Sequence, residues 1–156
     1  MNEFMTKFQK AMRDEISAAI VYIKMANSLK GFQGSKIAEE LLEHSAEEFE
    51  HYNELVSFAA KHGLTTMLDF NDIDMDVIKN APLNDDTAVL TYTQELEATA
   101  ISDYKKLVEL ATEEKSEEAK KFFSEIMSDE INHFDELAEW TGQTRPCKLA
   151  QENSDD

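Results

Sequence analysis

The stretch Asp129-Glu130-Ile131-Asn132-His133 holds a carboxylate and an imidazole three positions apart. On an α-helix this spacing places both side chains on one face, about one turn apart, where they can reach a single metal ion. By itself the pair is a weak signal, because a solvated Glu beside a surface His gives the same pattern on any acidic helix. A second copy, Glu48-Phe49-Glu50-His51, begins 82 residues earlier. The chain is therefore predicted to contain an internal repeat.

The composition favours a single all-α domain. Of the 156 residues, 42% are hydrophobic, which is enough for a substantial core. Only 4 Gly and 2 Pro occur, and few segments show the alternation of a half-buried strand. We expect residues 1–142 to form one helical bundle and residues 143–156 to form a flexible acidic tail.

The charge balance argues against two classes of partner. The formal net charge is -18 at pH 7, so nucleic acid and an anionic membrane surface would both be repelled, and cations are favoured instead. No apolar run approaches the length of a membrane span or of a signal-peptide core. The single Cys147 can form neither an internal disulfide nor a rubredoxin-type iron site. The protein is expected to be cytoplasmic.

Apolar residues at helical spacing predict four long helices. They are expected over about Glu3 to Leu29, Lys36 to His62, Asp86 to Thr112 and Glu117 to Thr141. Gly31 and Gly34 are expected to break the chain after the first helix, with Ser35 as the N-cap of the second. Ser116 is the expected N-cap of the fourth helix.

The stretch between the second and third long helices has low periodicity and contains Pro82. It is long for a turn in so small a domain. We interpret it as a crossover that carries the chain from one end of a helical bundle to the other. Phe70, Ile73, Val77 and Ile78 would pack it on the bundle, with one short helical turn.

The repeat pairs glutamates, tyrosines and histidines that the helical pattern places in the core. Sliding the chain by 82 residues aligns Glu15 with Glu97, Tyr22 with Tyr104, Glu48 with Glu130, and His51 with His133. In each half the Tyr follows the first Glu by seven residues, and the Glu-x-x-His pair begins 33 residues after that Glu. Two helix pairs related by an approximate two-fold axis would then direct four Glu and two His into one region of the core.

The electrostatics of such a cluster indicate what it binds. Four buried carboxylates without counter-charge cannot all stay ionised. Two divalent cations would balance the four negative charges, with neutral imidazoles completing the coordination. Oxygen-rich sites that also contain nitrogen suit iron or manganese better than the metals that prefer thiolates, although zinc could compete. We expect two iron ions per chain.

These residues resemble a known ligand set. The positions Glu15, Glu48, His51, Glu97, Glu130 and His133 are similar to the ligands of the ferritin-like di-iron carboxylate superfamily. The resemblance covers about Glu3 to Thr141 and is greatest to bacterioferritin, because both halves end in Glu-x-x-His; rubrerythrin is the next relative. It implies a ferritin-like four-helix bundle with a long crossover between the second and third long helices.

The resemblance also implies roles for these residues. Glu48 and Glu130 would be bridging carboxylates, whereas Glu15 and Glu97 would be terminal ligands. The histidines of the two Glu-x-x-His pairs would each complete the shell of one metal. The two repeat-related tyrosines, Tyr22 and Tyr104, are candidate catalytic groups that could hydrogen-bond ligand carboxylates or supply an electron, with ordinary aromatic packing as the simpler interpretation.

The implied activity is that of a ferroxidase, which binds Fe(II), passes its electrons to dioxygen or hydrogen peroxide, and delivers Fe(III) for storage and detoxification. A homo-oligomer, either a dimer or a larger cage, is implied as well. One alternative is a rubrerythrin-like peroxidase or a small di-iron oxygenase that acts on peroxide or an organic substrate without iron storage. Another is a helical interaction protein with a vestigial site.

Three features depart from the pattern of these relatives. Phe49 stands where bacterioferritin has its haem-ligating Met, so haem is not expected at the usual dimer site. Ala100 stands where rubrerythrin has an additional Glu, which favours a ferritin over a peroxidase. The short fifth helix common in cage-forming ferritins is not evident after Trp140, because Gly142 and Pro146 interrupt any continuation.

Several other polar residues have simpler interpretations. His44 lies one turn before Glu48; it either hydrogen-bonds a metal ligand or binds metal in transit, or it is a core histidine bonded to a neighbour. His62 is the expected C-terminal cap of the second helix. A mostly solvated face is expected for Glu39, Glu40, Glu43, Glu47 and Glu50.

Overall fold

Four long α-helices and one short helix make up the described part of the chain. They are α1 (Glu3–Ser28), α2 (Gly31–Lys61), the short α3 (Met75–Lys79), α4 (Asp86–Glu113) and α5 (Glu117–Thr141). The structure is a computed structural model, and it describes residues 2–64, 66, 71 and 73–142. α1 packs mainly on α2 and α4 mainly on α5, and α1 and α4 join the two pairs. The predicted all-α four-helix bundle with a long crossover is confirmed.

Side-chain caps fix the N-terminal ends of α1, α4 and α5. Asn2 accepts a hydrogen bond from the backbone N–H of Met5, and Asp85 accepts one from Ala88 at 3.0 Å. The predicted N-cap Ser116 accepts a hydrogen bond from the N–H of Ala119. Gly142 ends α5 in the left-handed conformation at φ 69°, which costs glycine little. The fourth helix therefore starts and stops where the sequence indicates.

The start of the second long helix was predicted wrongly. α2 begins at Gly31, and Ser35 lies inside it, where its hydroxyl donates to the carbonyl of Phe32 at 2.8 Å. Gly34 is helical and buried, and a Cβ there would lie 3.3 Å from the carbonyl carbon of Leu29. Gly34 therefore serves the close approach of two segments, and only Gly31, at φ 84°, marks the turn.

The crossover packs against the bundle through α3, as the sequence predicts. The N–H of Asp74 donates to Ser17 Oγ at 2.8 Å, and Lys24 Nζ donates to the carbonyl of Ile78 at 2.7 Å. The hydroxyl of Tyr92 donates to the carbonyl of Val77 at 2.7 Å. These bonds hold α3 against both α1 and α4. The predicted contact of Phe70 lies outside the described residues.

Of the three apolar clusters in the described part of the bundle, the two largest lie one on each side of a polar layer. The first contains Phe8, Met12, Leu55, Leu107, Phe123 and Ile126, and the second contains Met25, Ile37, Leu41, Leu90 and Leu137. Along α2 the chain runs from Leu41 through Glu48 to Leu55, and so passes from the second cluster to the first. The buried glutamates therefore lie between two apolar clusters that hold their positions.

No helix in the described part of the chain is long and apolar enough to cross a membrane. The acidic tail predicted for residues 143–156 lies outside the described residues.

Candidate metal centre

All six predicted ligand residues meet in the polar layer of the bundle. They are Glu15 from α1, Glu48 and His51 from α2, Glu97 from α4, and Glu130 and His133 from α5, and none is more than 4% exposed. Each long helix contributes one Glu, and the two helices with a Glu-x-x-His pair also contribute a His one turn further on. The repeat in the sequence therefore corresponds to a single cluster in space.

The cluster consists of two overlapping groups of four. Glu15, Glu48, His51 and Glu130 form one group, and Glu48, Glu97, Glu130 and His133 form the other. In each group one ligand-type atom per residue lies within 4.8 Å of the others. Glu48 and Glu130 belong to both groups, which is the placement that two bridging carboxylates require.

Both imidazoles direct Nδ1 toward the carboxylates. His51 Nδ1 lies 2.8 Å from Glu130, 3.4 Å from Glu48 and 3.6 Å from Glu15. His133 Nδ1 lies 3.1 Å from Glu48 and 3.8 Å from Glu130. Each bridging-type carboxylate is thus within reach of both histidines.

Each of the two tyrosines donates a hydrogen bond to a glutamate from the other half of the repeat. Tyr22 donates its hydroxyl proton to Glu97 Oε1 at 2.7 Å, and Tyr104 donates to Glu15 Oε1 at 2.5 Å. Burial and the adjacent negative carboxylates raise the pKa of both phenols well above the usual value, so both remain protonated donors. Each tyrosine therefore orients the carboxylate contributed by the other half.

Two acidic residues outside the predicted set orient the histidines. His51 Nε2 lies 3.0 Å from Asp129, and His133 Nε2 contacts Glu47. When Nε2–H donates to a carboxylate, the lone pair of Nδ1 is left for a metal. Glu47 was expected on the solvated face, and its side chain is half exposed, but this contact gives it a further role. The sequence contained a signal for both acids, because Glu47 and Asp129 each directly precede a Glu-x-x-His pair and are themselves 82 residues apart.

Without metal the centre retains protons. Burial and the charge of neighbouring glutamates raise the pKa of Glu48 and Glu130 well above the usual value. Burial alone would lower the pKa of His51 and His133, but hydrogen bonds to the surrounding glutamates raise both. Burial would raise the pKa of Glu97, but hydrogen bonds from Glu130 and His133 lower it to about 2. Protons on the two shared glutamates and on the two histidines therefore occupy a site whose carboxylates and imidazoles fit two divalent cations instead.

The metal-free protein should lose stability as the pH rises. The pKa of Glu48 and of Glu130 is higher in the folded protein than the ordinary value of 4.5 expected in the unfolded chain. Their contribution to the free energy of unfolding is therefore complete below pH 4.5 and is lost as the pH rises through the folded pKa. The two histidines act in the same direction above pH 6.5. For each proton that the folded state retains and the unfolded state releases, the free energy of unfolding falls by about 1.4 kcal/mol per pH unit. Urea unfolding of metal-free protein at pH 6 and pH 8 tests this expectation, which a higher stability at pH 8 would contradict.

A cavity of about 260 Å³ between α1 and α4 opens onto the carboxylates. Its inner lining includes all four glutamates and both tyrosines of the centre. At its more exposed end Lys10 Nζ lies 2.5 Å from both Asp14 on α1 and Asp103 on α4. This ion pair network joins the two helices beside the opening of the cavity.

His44 lies on the opposite side of the cluster, next to the α5 histidine. It is 1% exposed, its ring stacks on that of His133 with centroids 4.4 Å apart, and its Nε2 lies 2.8 Å from Glu136. His62 is the C-cap residue of α2, as expected, and packs its ring on Phe58.

Comparison with known proteins gives the same fold. The dodecameric thioferritin, a bacterioferritin-related protein from Bacteroides fragilis, superposes with a TM-score of 0.78 at 18% identity, covering 97% of this chain and 89% of that one. A ferritin-like di-iron carboxylate protein from Bacillus anthracis gives 0.74 at 20% identity, covering 88% and 94%. A variant of PmFTN soaked in iron gives 0.75 at 22% identity, covering 98% and 92%. No curated protein matches the chain.

These identities are low, and the structural likeness by itself shows a shared fold. The family model described as the ferritin-like domain matches residues 5–146, which is most of the chain and includes all six residues of the cluster. The chain therefore belongs to the ferritin-like family.

Proposed function

We propose that this protein is a ferroxidase that oxidises Fe(II) to Fe(III) for storage. The observation that carries the proposal is the pair of overlapping four-residue groups, buried in the bundle, that share Glu48 and Glu130. Two Fe(II) bound side by side together supply two electrons. That number reduces dioxygen to hydrogen peroxide, or hydrogen peroxide to water. A paired site therefore suits either oxidant.

The geometry supports a division of labour among the six residues. Glu15 and His51 would hold one Fe(II), Glu97 and His133 would hold the other, and the two shared carboxylates would bridge them. The hydroxyls of the two tyrosines keep the terminal carboxylates in place through the hydrogen bonds described above. We propose those bonds as their main role, with supply of an electron as a second one.

The donor set supports iron as the metal. Within the described residues, the donor set consists of carboxylates and imidazoles. The relative from Bacillus anthracis is a di-iron carboxylate protein, and the PmFTN variant was studied in iron-soaked form. Haem is not part of the proposal, because Phe49 offers no ligand where bacterioferritins have Met.

A homo-oligomer is proposed as the working form. α2 exposes Leu42, Phe49 and Val56 at intervals of seven residues, each at least 36% exposed. An apolar row of this kind on a helix suits contact with another protein surface. The similar protein from Bacteroides fragilis is dodecameric, which supports a cage for this chain as well.

Iron loading beyond two ions per chain tests storage. Aerobic additions of Fe(II) should be oxidised rapidly, and the iron should stay with the protein as a particle whose mass increases with each addition. Native mass measurement or light scattering after loading gives the result. Rapid oxidation with release or precipitation of all further iron would contradict storage while leaving the ferroxidase step intact.

One observation favours a second function, that of a small di-iron enzyme. The cavity of about 260 Å³ beside the carboxylates has room for a small substrate, and Ala100, where rubrerythrins have an additional Glu, lines it. Turnover of peroxide or of a small organic compound with an added reductant, without formation of an iron particle, would support this function over storage.

A further inference from the structure

The two halves of the centre differ in one neighbouring layer. The 82-residue offset that pairs the six ligand-type residues also pairs His44 with Ile126 and Gln94 with Met12. Ile126 and Met12 belong to the first apolar cluster. His44 and Gln94 are polar, although they are 1% and 4% exposed. The repeat is therefore symmetric in its ligands and asymmetric in the layer beside them.

His44 and Gln94 lie on the same side of the centre. On α2, His44 follows Leu41 by three residues and precedes Glu48 by four. On α4, Gln94 follows Leu90 by four residues and precedes Glu97 by three. Because Leu41 and Leu90 both belong to the second apolar cluster, the two polar residues occupy the layer between that cluster and the glutamates.

This layer contains buried polar atoms that lack partners. Within the described part of the chain, neither Oε1 nor Nε2 of Gln94 has a hydrogen-bond partner, and Nδ1 of His44 has none. An unpaired buried amide or imidazole is costly and is rare in native proteins unless solvent or a ligand satisfies it. The amide of Gln94 can both donate and accept, which suits a molecule that does the same.

The layer is separate from the cavity between α1 and α4, because neither residue lines that cavity. His44 instead forms a group with Glu97 and His133, in which one ligand-type atom of each lies within 4.8 Å of the others. These are the residues that distinguish one proposed metal position from the other. The polar layer therefore adjoins only one of the two positions.

We propose that His44 and Gln94 form a subsite for a solvent-derived ligand, water or hydroxide, beside the metal position of Glu97 and His133. This inference rests on the proposed two-metal centre. A small anion such as azide can replace a solvent ligand of this kind. At the opposite position, the 82-residue offset puts Met12 and Ile126 of the first apolar cluster in the places of Gln94 and His44. The subsite makes two positions with matching ligands unequal, and directs exogenous ligands to one of them.

Azide binding to protein loaded anaerobically with Co(II) tests the subsite without iron oxidation. The wild type should bind two Co(II) and one azide per chain, seen in visible absorption and calorimetry. The double variant His44→Ile with Gln94→Met gives this layer the side chains of the other half. It should still bind two Co(II) but bind azide at least about 10-fold more weakly, since both hydrogen-bonding groups are lost. The single variant Gln94→Met, with an intermediate loss, serves if the double variant does not fold.

The control is the pair Met12→Leu with Ile126→Leu, which alters the corresponding layer on the opposite side and should leave azide binding unchanged. Equal azide affinity in wild type, Gln94→Met and the double variant, each with two Co(II), would overturn the subsite and leave the ferroxidase proposal standing. Binding of fewer than two Co(II) by the wild type would overturn the two-metal centre itself and the subsite with it.

Discussion

Replacing Glu97 with alanine is expected to slow rapid Fe(II) oxidation by at least about 100-fold. Even residues that only support a metal ligand commonly contribute 10- to 100-fold to affinity or activity, and Glu97 lies in the cluster itself. It is 1% exposed and provides the α4 carboxylate of the group that contains His133. Its loss also leaves the hydroxyl of Tyr22 without its acceptor. Stopped-flow absorbance after mixing Fe(II) protein with dioxygen measures the rate.

The matched control is Glu95→Gln, which removes an exposed carboxylate two residues away on the same helix. Its oxidation rate should equal that of the wild type. Circular dichroism should show the same helix content in both variants, so that a slow rate reports the site and not unfolding. Unchanged oxidation in Glu97→Ala would refute the assignment of the six-residue cluster as the ferroxidase centre.

Loading with two divalent metals should stabilise the protein strongly. A ligand that binds only the folded state at 1,000 times its dissociation constant contributes about 4 kcal/mol. For a chain of this size each kcal/mol raises the melting temperature by about 2 to 4 °C. Each metal should therefore raise it by about 8 to 16 °C. The physical reason is that the cations replace the protons that Glu48 and Glu130 retain and so compensate the buried carboxylates. Differential scanning calorimetry with and without Co(II) measures the shift.

The double variant Glu48→Gln with Glu130→Gln tests whether this stabilisation comes from metal bound at the six-residue cluster. It removes the two carboxylates common to both groups, along with the charge repulsion that burial makes costly. Without metal its stability should depend on pH less than that of the wild type, and metal should no longer raise its melting temperature. A metal shift as large as in the wild type would show that the cations bind elsewhere.

Helical periodicity and the repeat were enough to predict the fold. Apolar residues at 3.6-residue spacing define the long helices, and the low-periodicity stretch around Pro82 indicates the crossover. The 82-residue offset predicts which polar residues meet, because each charged residue in the core needs a compensating partner. The meeting of all six side chains in one buried layer follows from that pattern.

Other features depend on contacts that one sequence does not encode in a readable pattern. Gly34 looked like a helix break, but its missing Cβ serves the close approach of Leu29. The link of Lys10 to Asp103 joins residues 93 positions apart. Gln94 has no distinctive sequence signal, because a single amide on a helix is usually exposed, and only burial without a partner makes it notable.

Anaerobic titration with Fe(II) tests the central claim most directly. Protein purified without chelators, stripped of metal and titrated under argon should take up two Fe(II) per chain, with calorimetry and iron analysis agreeing on that number. Mixing the loaded protein with dioxygen should then oxidise both ions. Uptake of no iron would point to a helical interaction protein with a vestigial site, and saturation at one ion per chain would contradict the paired centre.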